Sequence, residues 1–190
     1  MRHLLALSLL AVTVGHAAPN VQSTVPFGRA PLVDQNISLE EWRGAGKIEL
    51  PGGAQLWVMQ NNEYIFLCVK APKPAVFGVD LFIADATGKI VDLQASAFLG
   101  ERTAEAGKWP EWKWWNNVDW TATIVPYDLK DGRPDFRPTY GKEFQLSKHR
   151  FNGKNYLLRL AYQFGRDGAP LTFPVGAPEF DPVNWFPLNL

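Results

Sequence analysis

Five of the eight tryptophans of the chain fall between residues 109 and 120. Sugar rings present C–H faces that stack on flat aromatic side chains, and their hydroxyl groups bond to nearby polar side chains. If this stretch is extended, Trp112 and Trp114 point to the same side of it. The cluster favours a carbohydrate-binding surface, and the alternative is that the rings only cover the open end of a folded core. The predicted site residues are Trp109, Glu111, Trp112, Trp114 and Trp115.

Other chemistry has little support in the sequence. There is no Gly-x-Ser-x-Gly motif, no histidine-rich metal motif and no cysteine with a catalytic partner. Glu111 is the one carboxylate that could act on a glycosidic bond beside the tryptophans, and we do not predict an enzyme. Calcium is only weakly indicated, because the aspartates are scattered near turns without an Asp-x-Asp-x-Asp run. They are Asp80, Asp85, Asp92, Asp119, Asp128, Asp131 and Asp135.

The first 17 residues have the pattern of a secretory signal peptide. Arg2 and His3 precede an apolar run at residues 4–14, and small residues on either side of His16 suit cleavage after Ala17. The run is too short to span a membrane, and no later stretch is apolar enough to be a transmembrane segment. We therefore expect a secreted protein, or one in the periplasm or cell envelope of a bacterium.

The mature chain is close to neutral. Removal of Arg2 with the leader leaves 18 of the 19 basic residues against 19 acidic ones, a net charge near −1. This balance argues against nucleic acid and against an anionic membrane surface as partners. The single cysteine, Cys68, cannot form an internal disulfide and lies in an apolar run, so a buried and inert thiol is expected.

Residues 55–70 contain the segment around which the core should form. Two apolar runs flank Asn61 and Asn62, and asparagine tolerates the positive φ of a tight type I′ turn. The pattern predicts a hairpin with a two-residue loop, in which Met59 faces Tyr64. Side chains alternate along strands, so both faces can be assigned. The aliphatic face, predicted to be core, is Leu56, Val58, Ile65, Leu67 and Val69. The aromatic face, predicted to be a second core side or a cleft floor, is Gln55, Trp57, Met59, Tyr64, Phe66 and Cys68.

The rest of the chain shows the pattern of short strands and turns. Ser38 and Glu41 form a capping box for a single helical turn, which should point Trp42 inward against the aliphatic face of the hairpin. Residues 118–125 alternate, with Trp120 on the core side. Further strands are expected at residues 47–50, 76–84, 89–97, 142–146 and 156–164, and loops at residues 100–108 and 128–138.

This pattern predicts an all-β fold, an antiparallel β-sandwich of the jelly-roll or immunoglobulin-like kind. We expect a single domain at residues 32–190, preceded by an extended lead-in at residues 18–31. The tail at residues 165–190 has five prolines and no regular period. Its aromatic residues, among them Phe180 and Trp185, indicate that it packs back onto the body of the domain.

Two stretches of the chain carry a family resemblance. Val33–Ala45 reads VDQNISLEEWRGA, similar to an I-D-G-x-I-x-x-x-E-W motif with Gln35 in place of the usual glycine, and the hairpin after it ends in EYIFLCV. Glu143–Ser147, followed by Leu157–Tyr162, is similar to an E-x-x-I-P segment and its next strand. Together these stretches, within residues 32–164, resemble the family 9 carbohydrate-binding modules and their DOMON-like relatives. The resemblance implies a DOMON-like sandwich with a non-catalytic role outside the cytoplasm, and it carries no site residue across.

The resemblance also raises a second possibility, since DOMON-like relatives include b-type haem domains with methionine and histidine as axial ligands. Without the leader, Met59 and His149 are the only methionine and the only histidine. Met59 falls in an aromatic strand layer and His149 in a basic loop, which favours a packed methionine and a solvated histidine. Our first expectation is therefore that no cofactor is bound, with haem b on Met59 and His149 as the alternative.

The function expected from the sequence is an exported, non-catalytic binding module for a glycan or a similar small ligand. The alternatives are the haem or redox domain and an envelope protein whose sandwich makes only protein contacts. A tryptophan platform at the surface would favour the first. A haem-sized cavity between Met59 and His149 would favour the second, and an apolar patch without a cleft the third.

Overall fold

The structure is a computed structural model that describes residues 24–115, 119–150 and 154–190. In these ranges no helix is long and apolar enough to cross a membrane. The chain there forms short 3-10 turns and fourteen strands. The strands are β1 (Gly46–Glu49), β2 (Gln55–Gln60), β3 (Tyr64–Ala75), β4 (Phe77–Ala84), β5 (Ile90–Ala95), β6 (Leu99–Thr103), β7 (Lys113–Trp114), β8 (Trp120–Ala122), β9 (Tyr127–Lys130), β10 (Arg133–Phe136), β11 (Thr139–Ser147), β12 (Asn155–Phe164), β13 (Leu171–Phe173) and β14 (Phe186–Asn189).

The strands form two antiparallel sheets and a separate two-stranded arm. The first sheet has the order β1-β2-β3-β11-β8, and the arm is the hairpin of β9 and β10. The second sheet has the order β13-β12-β4-β5-β6-β7, and β14 pairs with β12 as well. The predicted all-β, antiparallel sandwich is confirmed.

The core lies between the inner faces of the two sheets. All five residues of the predicted aliphatic face are buried there, together with Trp120 from β8. The second sheet contributes alternate residues of its central strands, which is what period-two side chains require of a sheet with one face in the core. These residues are Val79, Leu81, Ile83, Val91, Leu93, Ala95, Leu158, Leu160 and Tyr162.

The turn of the β2–β3 hairpin differs from the prediction. Met59 pairs with Phe66 rather than Tyr64, so the register is shifted by two residues. The side chain of Asn61 accepts bonds from the backbone N–H groups of Glu63 and Tyr64. Among the described residues the positive-φ non-glycine positions are Gln35, Ala106 and Asp131, so the type I′ turn is wrong. A shift of two residues leaves each side chain on its predicted face.

Trp42 packs on the opposite face of the hairpin from the predicted one. It lies in a buried cluster on the outer side of the first sheet, not against the aliphatic face. Trp57 is tilted against it, with 6.3 Å between ring centroids. Cys68 is buried in the same cluster, and burial raises the pKa of its thiol, as an inert cysteine requires. The aromatic face of the hairpin is thus a second core side.

Glu143 fastens the segment before β1 to the first sheet. The indole N–H of Trp42 donates to Glu143 Oε1 at 3.2 Å, and the backbone N–H of Gln35 donates to Oε2 at 2.9 Å. Gln35 has a φ of 74°, the left-handed conformation that glycine adopts at no steric cost. Ser38 Oγ accepts from the N–H of Glu41, which is one of the two bonds of the predicted capping box, and it donates to the Glu41 carboxylate. The two stretches that carry the family resemblance therefore meet at Glu143.

Several element boundaries differ from the sequence prediction. β6 occupies the start of the loop expected at residues 100–108, and the arm occupies the loop expected at residues 128–138. β8 ends at Ala122, after which Val125 is buried and Ile124 is exposed, so the predicted alternation fails there. The tail supplies β13 and β14, and Trp185 is buried. The predicted signal peptide and Val118 lie outside the described residues.

Candidate functional site

The candidate site lies on the outer face of the second sheet, at the edge formed by β6 and β7. Trp114 pairs across the strands with Gly100. The ring of Trp112 lies over the same glycine, because a Cβ atom at Gly100 would come within 3.2 Å of Trp112 Cε3. Trp112 and Trp114 therefore lie on one face of the sheet, as the alternation of an extended segment predicts.

Arg102 determines how much of the tryptophan cluster is available to a ligand. Its guanidinium carbon lies 4.1 Å from the ring centroid of Trp112 and 4.6 Å from that of Trp109. Its nitrogens also bond to Asp92 Oδ2 at 2.8 and 2.9 Å. The two rings are thus held by a cation that is itself bonded to a buried carboxylate. The guanidinium covers part of each ring and leaves less of it for a ligand.

Trp109 is half-buried and belongs to the packing of the outer face. It lies against Phe82 of β4 and against Phe180 of the tail. Its indole N–H donates to Glu179 Oε1 at 2.5 Å. Trp109 therefore joins the tail to the sheet, which is a structural contact.

 Trp114 is the most exposed of the four tryptophans in the predicted site. The exposed fraction of its side chain is 69%, and Phe98 and Trp115 are each exposed by 40%. The ring of Phe98 packs against that of Trp114, with 4.7 Å between centroids. We call Trp114 and Phe98 the aromatic patch, because together they offer a solvent-facing apolar surface.

Trp115 and Glu111 flank the aromatic patch without joining it. The indole N–H of Trp115 donates to the carbonyl oxygen of Trp120 at 2.6 Å, which fixes this ring at the edge of the sandwich. Glu111 is exposed to solvent in the segment before β7. The structure thus brings Trp109 and Trp112 together around Arg102, and it presents Trp114 to solvent.

Two carboxylates lie on the same outer face, beside the tryptophans. Asp92 is fully buried, and burial followed by the nearby charge of Asp80 raises its pKa to about 8, although Arg102 opposes this shift. Burial also raises the pKa of Asp80 to about 6. Both aspartates lie within strands, so the expectation that they sit near turns is wrong for this pair.

No family model, no curated protein and no solved structure matches the chain. The site therefore has to be interpreted from its own geometry. Among the residues that the structure describes, no group of three or more His, Cys, Asp or Glu side chains is placed to hold a metal ion. Calcium stays a weakly supported expectation.

The two alternative haem ligands lie in different surroundings. Met59 is exposed by only 1% and packs in the outer cluster with Trp42 and Trp57. His149 is exposed, in the 3-10 turn Lys148–Arg150 that follows β11. This packing does not fit axial ligation, because the sulfur of Met59 is enclosed by side chains.

A wide cleft opens beneath the β9–β10 arm, with a volume of about 970 Å³. Phe77, Val125 and Phe136 contribute apolar surface to it, and Lys73 and Arg166 contribute positive charge. This cleft could not be predicted from the sequence, because residues far apart in the chain form its walls.

Sequence reasoning also missed Phe98 and Arg102, which complete the site. Both fall near or within a stretch that was expected to be a loop. The signal that could have found them is the alternation of β6, where Gly100 and Arg102 point outward and Leu99 packs against the core. That signal is weak, because a five-residue strand with charged positions resembles a loop.

Proposed function

We propose that the protein is a non-catalytic binding module that holds a glycan, or a similar small polar ligand, on the aromatic patch. The observation that carries the proposal is the exposure of Trp114, supported from the side by Phe98. An exposed indole loses apolar contact with water when a sugar ring covers it, which favours binding. The family resemblance of the opening segment points to the same class of ligand.

Polar groups near the patch suit a ligand with many hydroxyls. Gln94 pairs with Gly100 and therefore lies on the same face as Trp114. An oligosaccharide that stacks on the indole and extends across the sheet would thus meet a polar side chain. Lys113 and Glu111 are exposed, but they alternate with Trp114 along the segment and so lie on the opposite face.

The test is a calorimetric titration of soluble oligosaccharides of different composition. We expect dissociation constants between micromolar and millimolar, about −4 to −8 kcal/mol. Trp114→Ala should weaken binding at least tenfold, about 1.4 kcal/mol, since it removes the stacking surface. Tyr140→Ala removes another exposed aromatic side chain, on β11, and should leave binding unchanged.

Two results would contradict the proposal. One is the absence of binding by every oligosaccharide to the folded protein. The other is binding that survives in Trp114→Ala with its affinity intact. Incubation with the bound oligosaccharide should also leave its chain length unchanged, because the module is proposed to be non-catalytic.

A second candidate function, contact with another protein, is favoured by the arm. Every residue of β9 and β10 is exposed, including Tyr127, Leu129 and Phe136. One face of this hairpin is apolar, because Tyr127 pairs with Phe136 and Leu129 with Pro134. An exposed apolar face of this kind is a common protein-contact surface. Leu129→Asp should then abolish capture of a protein partner without changing stability, and unchanged capture would rule the arm out.

A further inference from the structure

A second concave surface lies on the outer face of the second sheet, next to the aromatic patch. It is a cavity of about 240 Å³ between β4, β5 and β12. Since a water molecule occupies about 30 Å³ of liquid, the cavity has room for roughly eight waters or one sugar ring. Its size is below that of most pockets for drug-sized ligands.

Small residues make this cavity. Gly78 of β4 and Ala161 of β12 contribute almost no side chain to its floor. A Cβ atom at Gly78 would come within 3.1 Å of Ser96 Cβ, so any larger residue there would crowd its neighbour. Larger side chains at these positions would fill the space. The cavity therefore exists because Gly78 and Ala161 are small.

The polar groups that line the cavity are mainly acceptors. Asp80 contributes its carboxylate, and the side chain of Gln94 lines the cavity, although its Oε1 atom is covered and lies near Gly100. The amide nitrogen of Gln163 is already bonded to the carbonyl oxygens of Gly165 and Arg166. A ligand that fits this set must bring donors, as the hydroxyl groups of a sugar do.

The cavity and the aromatic patch belong to one surface. Gln94 pairs with Gly100, which pairs with Trp114, so two strand spacings of roughly 10 Å in total separate Gln94 from Trp114. Ser96 also lies close to the patch, since its hydroxyl bonds to the carbonyl oxygen of Phe98 at 3.4 Å. A short oligosaccharide laid across the strands would reach both.

We propose that this cavity is a subsite for one neutral sugar ring, held through vicinal hydroxyls that donate to the two carboxylate oxygens of Asp80 and packed against the side chain of Gln94, while a neighbouring ring of the same oligosaccharide stacks on Trp114. The inference rests on the proposed function and adds to it a polar subsite. It also predicts that a monosaccharide can bind by itself, without the aromatic patch.

The charge of Asp80 gives the subsite a pH dependence. The charged groups that face Asp80 are Asp92, Arg102 and Arg159 on neighbouring strands and Glu179 in the tail. Burial is the main cause that raises the pKa of Asp80 to about 6. The ionised carboxylate accepts two hydroxyl donors, whereas the protonated form accepts fewer, so affinity should fall between pH 7.5 and pH 5.

The experiment uses the methyl glycosides of glucose, galactose, mannose and xylose as probes, followed by saturation-transfer NMR. We expect at least one to bind with a millimolar dissociation constant. Binding should weaken at least fivefold in Gln94→Ala, in Asp80→Asn and at pH 5. It should stay within twofold in Trp114→Ala and in the matched control Glu105→Gln, which removes a carboxylate at an exposed turn.

The other outcomes separate the inference from the proposed function. If oligosaccharides bind through Trp114 but no methyl glycoside binds, or if binding is insensitive to Gln94 and Asp80, the cavity is not a subsite and the proposed function stands. If no glycan of any length binds, both are wrong. Should the cavity variants fail to fold, binding by the wild type that does not change between pH 7.5 and pH 5 would overturn the inference.

Discussion

Buried charges are the most informative single residues of this protein. Glu143 is fully buried, yet it receives bonds from Trp42 and from the backbone of the opening segment, which compensate for its lost hydration. Lys142, its neighbour in β11, is also fully buried, but its Nζ atom has no hydrogen-bond partner among the described residues. Glu143 thus holds the opening segment on the first sheet, whereas the buried charge of Lys142 destabilises the folded state.

Lys142→Met should stabilise the protein by about 1–4 kcal/mol at pH 7, since a buried amine without a hydrogen-bond partner, 5.9 Å from the ring centroid of Phe77, is replaced by an apolar side chain of similar length. Burial lowers the pKa of Lys142 to about 8 from 10.5. The native state therefore loses this proton before the unfolded state does, and wild-type stability rises between pH 8 and 10.5. The advantage of the variant should shrink over the same range, as measured by urea unfolding.

Lys130→Met is the matched control for this prediction, because Lys130 is exposed on the arm. Its effect on the free energy of unfolding should stay within about 0.5 kcal/mol. Destabilisation by Lys142→Met would contradict the prediction and would indicate that the amine has a bonded partner in the native protein.

At the scale of the element, the β2–β3 hairpin separates two properties of a strand pair. One is the face on which each side chain lies, and the other is the register of the pairing. Its two faces follow from alternation, and they are the two faces that the structure buries. Its register depends on the turn, where the side chain of Asn61 replaces the expected left-handed backbone. Two predictions, one on the turn and one on the core face, test these separately.

Asn61→Ala should destabilise the protein by about 1 kcal/mol, because the backbone N–H groups of Glu63 and Tyr64 lose their acceptor. Asn62→Ala is the matched control, since the turn bonds come from Asn61, and its effect should stay within about 0.5 kcal/mol. Thermal or urea unfolding of both variants provides the measurement. Equal effects of the two substitutions would mean that the turn is not held by the Asn61 side chain.

Leu67→Ala should cost about 2–5 kcal/mol of unfolding free energy, because Leu67 is buried between the two sheets and the substitution leaves a cavity. Leu129→Ala, on the arm, changes the same atoms at a site exposed by 72% and should cost under about 0.5 kcal/mol. Urea unfolding compares the two. A cost below about 0.5 kcal/mol for Leu67→Ala would show that the core face is wrongly assigned.

At the scale of the whole molecule, each sheet has a second packed side. Trp42 covers the outer side of the first sheet, where it packs with Trp57 and Met59 of β2. The tail and Trp109 cover part of the second, through contacts with Phe82. The aromatic patch and the cavity beside it lie on a part of the second sheet that the tail and Trp109 do not cover.

The purified protein should show no Soret band after incubation with haem. The physical reason is the placement of the two alternative ligands, Met59 inside a closed cluster and His149 on an exposed turn. An absorbance spectrum with and without added haem is sufficient. A Soret band that disappears in Met59→Ala or in His149→Ala would instead support the haem alternative.

The sequence by itself determined which residues share a face. Strand alternation is local and has a period of two, so the buried sets of the hairpin and of β12 follow from residue types alone, even when the register shifts by two. The bond from the backbone N–H of Glu41 to the side chain of Ser38 is local in the same sense, whereas the face on which Trp42 packs was not predicted. The all-β class follows from the number of such segments.

Only the tertiary structure decided which tryptophan is free for a ligand. Trp112 and Trp114 are equivalent in the sequence pattern, but Arg102 of β6 covers one and leaves the other exposed. Trp42 likewise donates to Glu143, which lies 101 residues away in the sequence. Contacts of this kind depend on which strands become neighbours, and neighbouring strands are selected by the burial of the whole chain rather than by any local pattern.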